Sequence, residues 1–201
     1  MHIHEEKVSL RKAIDERIKR LSDGDRSAES RSLCRRLTEG IPEGTPICAF
    51  FPMRSEPDIT PFLEEVLRRD DPLYLPCFDG TLVFRQAIDL SKLIRGKLGT
   101  LEPDPTASQL ATSNQPVRTT HWPGGQPATL LIPGRAFDNQ GNRLGRGNGG
   151  YDKWVAEMRE KNVPLRLIGV ALECQIVDSI PVESHDQRMD AIATARGIIN
   201  V

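Results

Sequence analysis

Leu131-Ile132-Pro133-Gly134-Arg135-Ala136-Phe137-Asp138-Asn139-Gln140-Gly141-Asn142-Arg143-Leu144-Gly145-Arg146-Gly147-Asn148-Gly149-Gly150-Tyr151-Asp152 is the stretch on which the reading of this chain turns. An apolar, strand-like run stops at a Pro-Gly turn. A polar loop follows, with five glycines and two arginines between Gly141 and Gly150, and it opens onto a helix at Tyr151-Asp152. Glycines let the backbone approach a ligand and adopt positive φ. Successive N–H groups at a helix start favour an anion. Arg143 and Arg146 add fixed cations suited to phosphate oxygens. Asp152 supplies a hard oxygen of the kind Mg²⁺ prefers. The residues therefore read as a nucleotide-phosphate loop with a metal.

The flanks extend this unit. Thr129 to Ile132 reads as a strand, and Tyr151 to Lys161 as a helix with Trp154, Val155 and Met158 on one face. Leu165 to Leu172 is a continuous apolar strand, expected to be buried on both faces. Upstream, Glu5 to Leu21 is an amphipathic helix through Leu10, Ile14, Ile18 and Leu21, and Arg26 to Thr38 is a second helix. Ile47 to Phe51 suggests a buried strand and Ile59 to Arg69 a helix. Leu73 to Phe78 and Leu82 to Phe84 are strands around an Asp79-Gly80 hairpin turn. Leu90 to Ile94 is read as one helical turn, and a short strand is expected near Ala191 to Thr194. Strands alternate with helices, which predicts an α/β, three-layer fold with a mainly parallel central sheet. Thr100 to Ala128 carries five prolines and little periodicity. It is read as a long irregular surface loop, not a linker, so residues 1–201 form a single domain.

Size and charge narrow the function. At 201 residues the chain can bury a sizeable core without staples. A net charge of −1 gives no sign of a nucleic-acid or acidic-membrane partner. Cys34, Cys48, Cys77 and Cys174 form no CxxC pair and read as reduced, mostly buried thiols. No apolar run approaches the ~20 residues of a membrane span, and Met1 to Ser9 is polar. These features predict a soluble, cytoplasmic protein.

Other candidate sites are weaker alone. Gly145-x-Gly147-x-x-Gly150 matches a dinucleotide fingerprint formally, but it lies too far beyond Ile132 for that geometry, and no Walker A lysine follows. Lys7 and Arg11 share one face of the first helix, an arrangement often merely solvated. Glu56 follows a strand end, where ligand sites of α/β sheets gather. His185-Asp186 with Asp190 offers polar groups near the C-terminus. His121 and Trp122 lie in the long loop as a lid or as decoration, and Trp154 reads as core.

Taken in order, these elements resemble the 5-formyltetrahydrofolate cyclo-ligase family. The resemblance runs through Lys7-x-x-Leu10-Arg11, Phe50-Phe51-Pro52 with Glu56, Gly99-Thr-Leu-Glu102-Pro103 and Pro133-Gly134-x-Ala136-Phe137-Asp138. It continues with Gly141-x-Arg143-Leu144-Gly145-Arg146-Gly147, Tyr151-Asp152, Ile180-Pro181 and His185-Asp186. It implies a Rossmann-like fold and an ATP- and Mg²⁺-dependent conversion of 5-formyltetrahydrofolate to 5,10-methenyltetrahydrofolate. Lys7, Arg11 and the loop Arg143, Leu144, Gly145, Arg146, Gly147, Asn148, Gly149, Gly150 and Tyr151 would bind ATP. Arg146 and Tyr151 would be catalytic. Phe51, Glu56, Arg146 and Gly150 would face the folate, and Asp152 and Asp186 would hold Mg²⁺. ATP and reduced folate would be its partners, with no nucleic acid or membrane, and the chain would be a monomer. Gly150 stands where the family usually has a tyrosine. Two alternatives remain at this level: a diverged, non-catalytic nucleotide- or folate-binding paralog, and ATP-driven activation of another formamide or amide. The loop is expected to be exposed.

Overall fold

Helices α1 (Ile3–Arg20) and α2 (Asp23–Gly40) are separate because Ser22 interrupts the helical run. Its hydroxyl accepts the Asp25 N–H at 3.1 Å, and Asp23 and Asp25 place negative charge at the positive end of α2. The chain continues through β1 (Ile47–Cys48), α3 (Thr60–Arg68), β2 (Leu73–Asp79) and β3 (Thr81–Gln86). β4 (Leu93–Arg95) pairs antiparallel with β5 (Leu101–Pro103). Next come β6 (Ala128–Pro133), β7 (Ala136–Asp138), β8 (Arg143–Leu144), α4 (Gly150–Glu160) and β9 (Leu165–Val170). β10 (Ile176–Val177), β11 (Ala191–Thr194) and β12 (Gly197–Asn200) complete it. The structure, a computed structural model, describes residues 3–97, 99–104 and 127–201.

Seven strands form the main sheet in the order β12-β11-β9-β6-β1-β2-β3. The five inner strands are parallel; β3 and β12 close the two edges antiparallel. The side chains alternate between two helical layers, as strand geometry requires. Ile47, Leu131, Ile168 and Val170 face α2 and α3, meeting Leu33, Leu37, Phe62 and Leu63. Cys48, Leu130, Ile132 and Leu167 face α4, meeting Trp154, Val155 and Met158. The α/β, three-layer, mainly parallel architecture is therefore the one expected. The small sheet β10-β7-β8 lies beside it, and Ile14 and Ile18 of α1 pack with its residues Ala136 and Leu144. All four cysteines are free.

Several local expectations change. The strand after Pro46 is only two residues long, although Ala49 and Phe50 continue into the core. Only Leu90–Lys92 form a helical turn; Leu93 and Ile94 enter a strand, because they pair with Pro103 and Glu102. The irregular loop assigned to about 100–128 loses its beginning to β5 and its last residue to β6. Residues 105–126 of it, with His121 and Trp122, lie outside the described residues. β9 stops at Val170, and its first two residues are only half-buried, so two-sided burial begins at Leu167.

The Phe137 ring, fully buried, is clasped between Gly134 and Gly169. A Cβ on Gly169 would lie 2.4 Å from this ring. Gly169→Ala is therefore expected to cost about 1–3 kcal/mol in chemical denaturation. Combining it with Phe137→Leu should cost less than the sum of the two single changes, because the smaller side chain removes the clash.

Candidate active site

The order of the main sheet creates a crevice. From β1 the chain moves to β2 on one side, then returns through β6 on the other, so the winding direction reverses between β1 and β6. Beyond the carboxyl ends of such strands the connecting loops diverge and leave space for a ligand. A cavity of about 410 Å³ lies there. Phe50 and Phe51 after β1, Pro76 to Phe78 of β2 and Pro133-Gly134 after β6 form part of its wall. Glu56, Arg143, Arg146, Asn148, Gly150 and Tyr151 also line it, with Thr100 to Glu102 from the β4–β5 hairpin.

The glycine loop is held by Asp138, which is fully buried. Its carboxylate accepts the backbone N–H groups of Gln140, Asn142 and Ile180 and the Asn142 side-chain amide, at 2.9–3.0 Å. Gly141, at φ +82°, completes the reversal and returns the chain as β8. Arg143 is thereby aimed inward. One guanidinium nitrogen donates to Asp152 Oδ2 at 2.8 Å and another to the Pro133 carbonyl at 3.2 Å. Its guanidinium also lies 5.8 Å from the centre of the Tyr151 ring. A Cβ on Gly145 would lie 2.9 Å from this guanidinium, so a side chain there would push it from its place. Arg143 thus braces the loop, with its charge matched by Asp152.

Arg146 reaches across the cavity mouth. Its Nη2 donates to Glu56 Oε1 at 2.9 Å and to Ser55 Oγ at 3.2 Å, while Glu56 Oε2 accepts the Met53 N–H at 2.9 Å. Glu56 is buried and the Arg146 side chain is 35% exposed. Arg146, Gly147 and Asn148 are exposed, as expected of the loop, while the buried Glu56 carboxylate draws one guanidinium nitrogen of Arg146 inward. The Nε and Nη1 of Arg146 have no protein partner among the described residues. Burial, reinforced by the nearby Glu56 charge, pushes the Tyr151 phenol well above its usual range, so it stays protonated and can donate a hydrogen bond. At Gly150 a Cβ would meet nothing nearer than 4.0 Å, so this side of the wall has room for a side chain.

The N-terminal helix brings two further cations. Arg11 Nε donates to the Gly145 carbonyl at 2.9 Å, which seats α1 against the loop. The buried Lys7 ammonium contacts Asp186 at 2.6 Å and Glu183 at 2.7 Å. Burial opposes its charge, but the two carboxylates outweigh that and hold its pKa above the usual lysine value. Part burial likewise disfavours the Asp186 carboxylate, and its hydrogen bonds from Lys7 and the Glu183 N–H overcome this and keep its pKa low.

Asp186, Glu183 and His185 offer donor atoms within 4.8 Å of one another, and the hard oxygens among them suit a divalent cation such as Mg²⁺. Asp152 is not in this group. Its Oδ1 accepts the Gln187 N–H at 3.2 Å and its Oδ2 binds Arg143. Of the residues expected for folate and the phosphates, Phe51, Glu56, Arg143, Arg146, Asn148, Gly150 and Tyr151 line the cavity. Arg11, Leu144, Gly145, Gly147 and Gly149 are not part of its wall, and Lys7 is paired at 183–186. Thr100, Leu101, Met53 and the β2 residues were not anticipated. The β4–β5 hairpin brings the first two there through tertiary packing, and no periodicity marks them.

The family model for the 5-formyltetrahydrofolate cyclo-ligase family matches residues 3–195. The chain belongs to that family. It is 27% identical over 200 residues to the 5-formyltetrahydrofolate cyclo-ligase of Mycolicibacterium smegmatis, covering 96% of each chain. The mitochondrial 5-formyltetrahydrofolate cyclo-ligase of Arabidopsis thaliana is 28% identical over 174 residues; the match takes in 77% of this chain and 61% of that relative. The solved structure of Aquifex aeolicus 5,10-methenyltetrahydrofolate synthetase is similar with a TM-score of 0.75 and 27% identity, covering 96% of this chain and 92% of that one. Among the described residues no helix is long and apolar enough to cross a membrane.

Two stability predictions follow from these contacts. Asp138→Ala leaves four donors without their acceptor and is expected to cost at least about 3 kcal/mol in urea denaturation. Asp186 and Glu183 both have lowered pKa values, below the ordinary 3.8 and 4.5. Their pairing with Lys7 therefore stabilises the fold above those ordinary values and is lost as pH falls through the lowered ones. Lys7→Gln should be less stable than wild type at pH 7, and the gap should narrow in melts recorded below about pH 4.

Proposed function

We propose that this protein is a 5-formyltetrahydrofolate cyclo-ligase, using ATP and Mg²⁺ to form 5,10-methenyltetrahydrofolate with release of ADP and phosphate. The observation that carries this reading is the Arg146–Glu56 pair at the mouth of the switch-point cavity, in a chain of the cyclo-ligase family. The apolar wall at Phe50 and Phe51 suits a fused ring, and Glu56 suits its N–H-bearing edge.

In this reading the formyl oxygen attacks the γ-phosphorus of ATP and ADP leaves. Nitrogen-10 then attacks the activated formyl carbon and the five-membered ring closes; phosphate departs and the N10 proton is lost to solvent. Such chemistry depends on alignment and charge stabilisation. Arg146 would place its free guanidinium nitrogens on the transferring phosphoryl group while Nη2 stays anchored on Glu56. The N–H groups from Gly145 to Gly150 would line the phosphates. Tyr151 would donate a hydrogen bond from its protonated phenol. Lys7 and Arg11 would add positive charge from α1, Lys7 after exchanging its carboxylates for phosphate. Asp186 is the carboxylate best placed for Mg²⁺, with Glu183 beside it; Asp152 joins only if Arg143 releases it. The metal would neutralise phosphate charge. We also propose a cytoplasmic, monomeric enzyme acting on small molecules.

The room beside Gly150 favours one variant of this reading, in which a bulkier formamide is activated. The test is the near-ultraviolet absorbance of the methenyl product in purified protein with Mg-ATP and 5-formyltetrahydrofolate. ATP-dependent growth is expected; ADP release with another formamide, and no methenyl signal, would support the variant. Arg146→Ala should lower kcat by about a hundredfold. It should also cost about 1–3 kcal/mol of stability, since buried Glu56 loses its charged partner. Near-wild-type turnover in that variant would remove the role given to the loop.

A further inference from the structure

The cavity holds a second carboxylate that the foregoing chemistry does not use. Glu102 lies on β5, opposite Ile94 of β4, and contributes to the cavity wall. Every other charge in that wall is matched: Glu56 by Arg146, and Arg143 by Asp152. Glu102 forms no ion pair among the described residues, and the Thr100 hydroxyl, donating to Oε1 at 3.2 Å, is its hydrogen-bond partner there. Its second oxygen, Oε2, has no protein donor among the described residues.

The Thr100 hydroxyl and the backbone of Gly96 set the surroundings of this carboxyl group. It lies directly over Gly96, where a Cβ would come within 2.0 Å of Glu102 Cδ. Gly96 is itself pinned in the hairpin by the bond from its N–H to the Thr100 carbonyl at 2.8 Å. The buried Cys77 thiol of β2 is pushed up to about 12, by burial first and by the Glu102 charge second, so the carboxylate also acts across the cavity wall on the main sheet. Pro76, Cys77 and Leu101 line the same cavity, whose surface is mostly apolar. An ionised carboxylate only accepts hydrogen bonds. Held beside apolar surface without a cation, it matches an occupant that brings N–H donors. Phosphates bring acceptors and negative charge and are excluded as its partner. A reduced pteridine brings an amino group and ring N–H groups.

We propose that Glu102 is a substrate-positioning residue, whose carboxylate accepts a hydrogen bond from an N–H of the reduced folate in the cavity. The assignment rests on the functional reading above and divides recognition between two elements. Glu56, on the loop after β1, and Glu102, on the hairpin, would grip the folate from separate walls.

The test is steady-state kinetics of wild type, Glu102→Gln, Glu102→Ala and Thr100→Val, with folate and ATP varied separately and thermal melts alongside. Glu102→Ala should raise KM for 5-formyltetrahydrofolate at least about tenfold, as expected for losing a hydrogen bond to a charged group. KM for ATP, and kcat at saturating folate, should stay within about twofold. Glu102→Gln, which keeps shape and one acceptor, should show a smaller rise in the same constant, and it reports even if the alanine variant does not fold. Thr100→Val, which removes the hydroxyl donating to Oε1, should raise the folate KM less than Glu102→Ala does. A folate KM within twofold of wild type in Glu102→Gln and Glu102→Ala would overturn the proposal, as would a rise in KM for ATP alone. Parallel losses of kcat and melting temperature in Glu102→Ala and Thr100→Val, with no selective folate effect, would assign Glu102 to holding the hairpin. Wild-type protein that neither turns over nor binds 5-formyltetrahydrofolate by calorimetry would overturn the functional reading, and this proposal with it.

Discussion

The buried carboxylate of Asp138 is the constraint on which the site depends. Its four hydrogen bonds fold residues 139–142 into a reversal and tie that reversal to Ile180. Without the reversal β8 could not return beside β7, and Arg143 could not enter the wall between Asp152 and Tyr151. A fully buried carboxylate is tolerable only when donors surround it. Here every donor comes from the chain's own turns, so the geometry of the loop and the solvation of the charge are one requirement. Gly145 and Gly147 then serve neighbours more than flexibility. The first leaves space for Arg143, and the second, at φ +101°, turns the chain beside Arg11.

Sheet topology and loop chemistry meet because the direction of winding reverses between β1 and β6. The loop after β1 carries Glu56, and the chain after β6 leads through the small sheet to Arg146. The two residues are ninety positions apart, yet they share a 2.9 Å contact because their strands are neighbours. The small sheet is itself an adaptor. It converts the end of β6 into an offset platform, and α1 packs on that platform rather than on the main sheet.

Most of the fold was legible where period and punctuation agree. The α4 face at Trp154, Val155 and Met158, the Asp79-Gly80 hairpin and the β6–β9 pair follow from residue pattern, since burial of one face leaves a local record. β7, β8, β10 and β12 left little record, being two to four residues long and fixed by pairing with distant chain. The site shows the same division. Arg146 was marked by the glycines around it, Glu56 only weakly by its strand end, and Tyr151 through the family resemblance; the structure puts all three on one cavity. The roles of Arg143 and Lys7 were not legible. Both are arginine or lysine in a promising place, and only the structure reveals that each already has carboxylate partners. Glu102 stood in a segment that carried the family resemblance but had no role assigned, because its importance arises from what fails to pair with it.

That pairing explains how a cationic loop exists in the folded chain at all. Lys7, Arg11, Arg135, Arg143 and Arg146 lie on elements that converge near one loop, and uncompensated they would repel one another and lower the stability of the fold. Four of them are answered by carboxylates: Asp186 and Glu183 for Lys7, Asp15 for Arg135, Asp152 for Arg143 and Glu56 for Arg146. Arg11 instead caps a backbone carbonyl. The pairs differ in depth, and depth decides which can change partners. Arg143–Asp152 is enclosed on both sides, with side chains 6% and 14% exposed, so opening it would strand two charges. Arg146 keeps unpaired nitrogens at the surface, and Glu183 is 41% exposed, so those pairs can add or trade a partner at lower cost. The deep pair therefore sets the geometry of the loop, and the shallow pairs leave it the charge with which to meet a ligand.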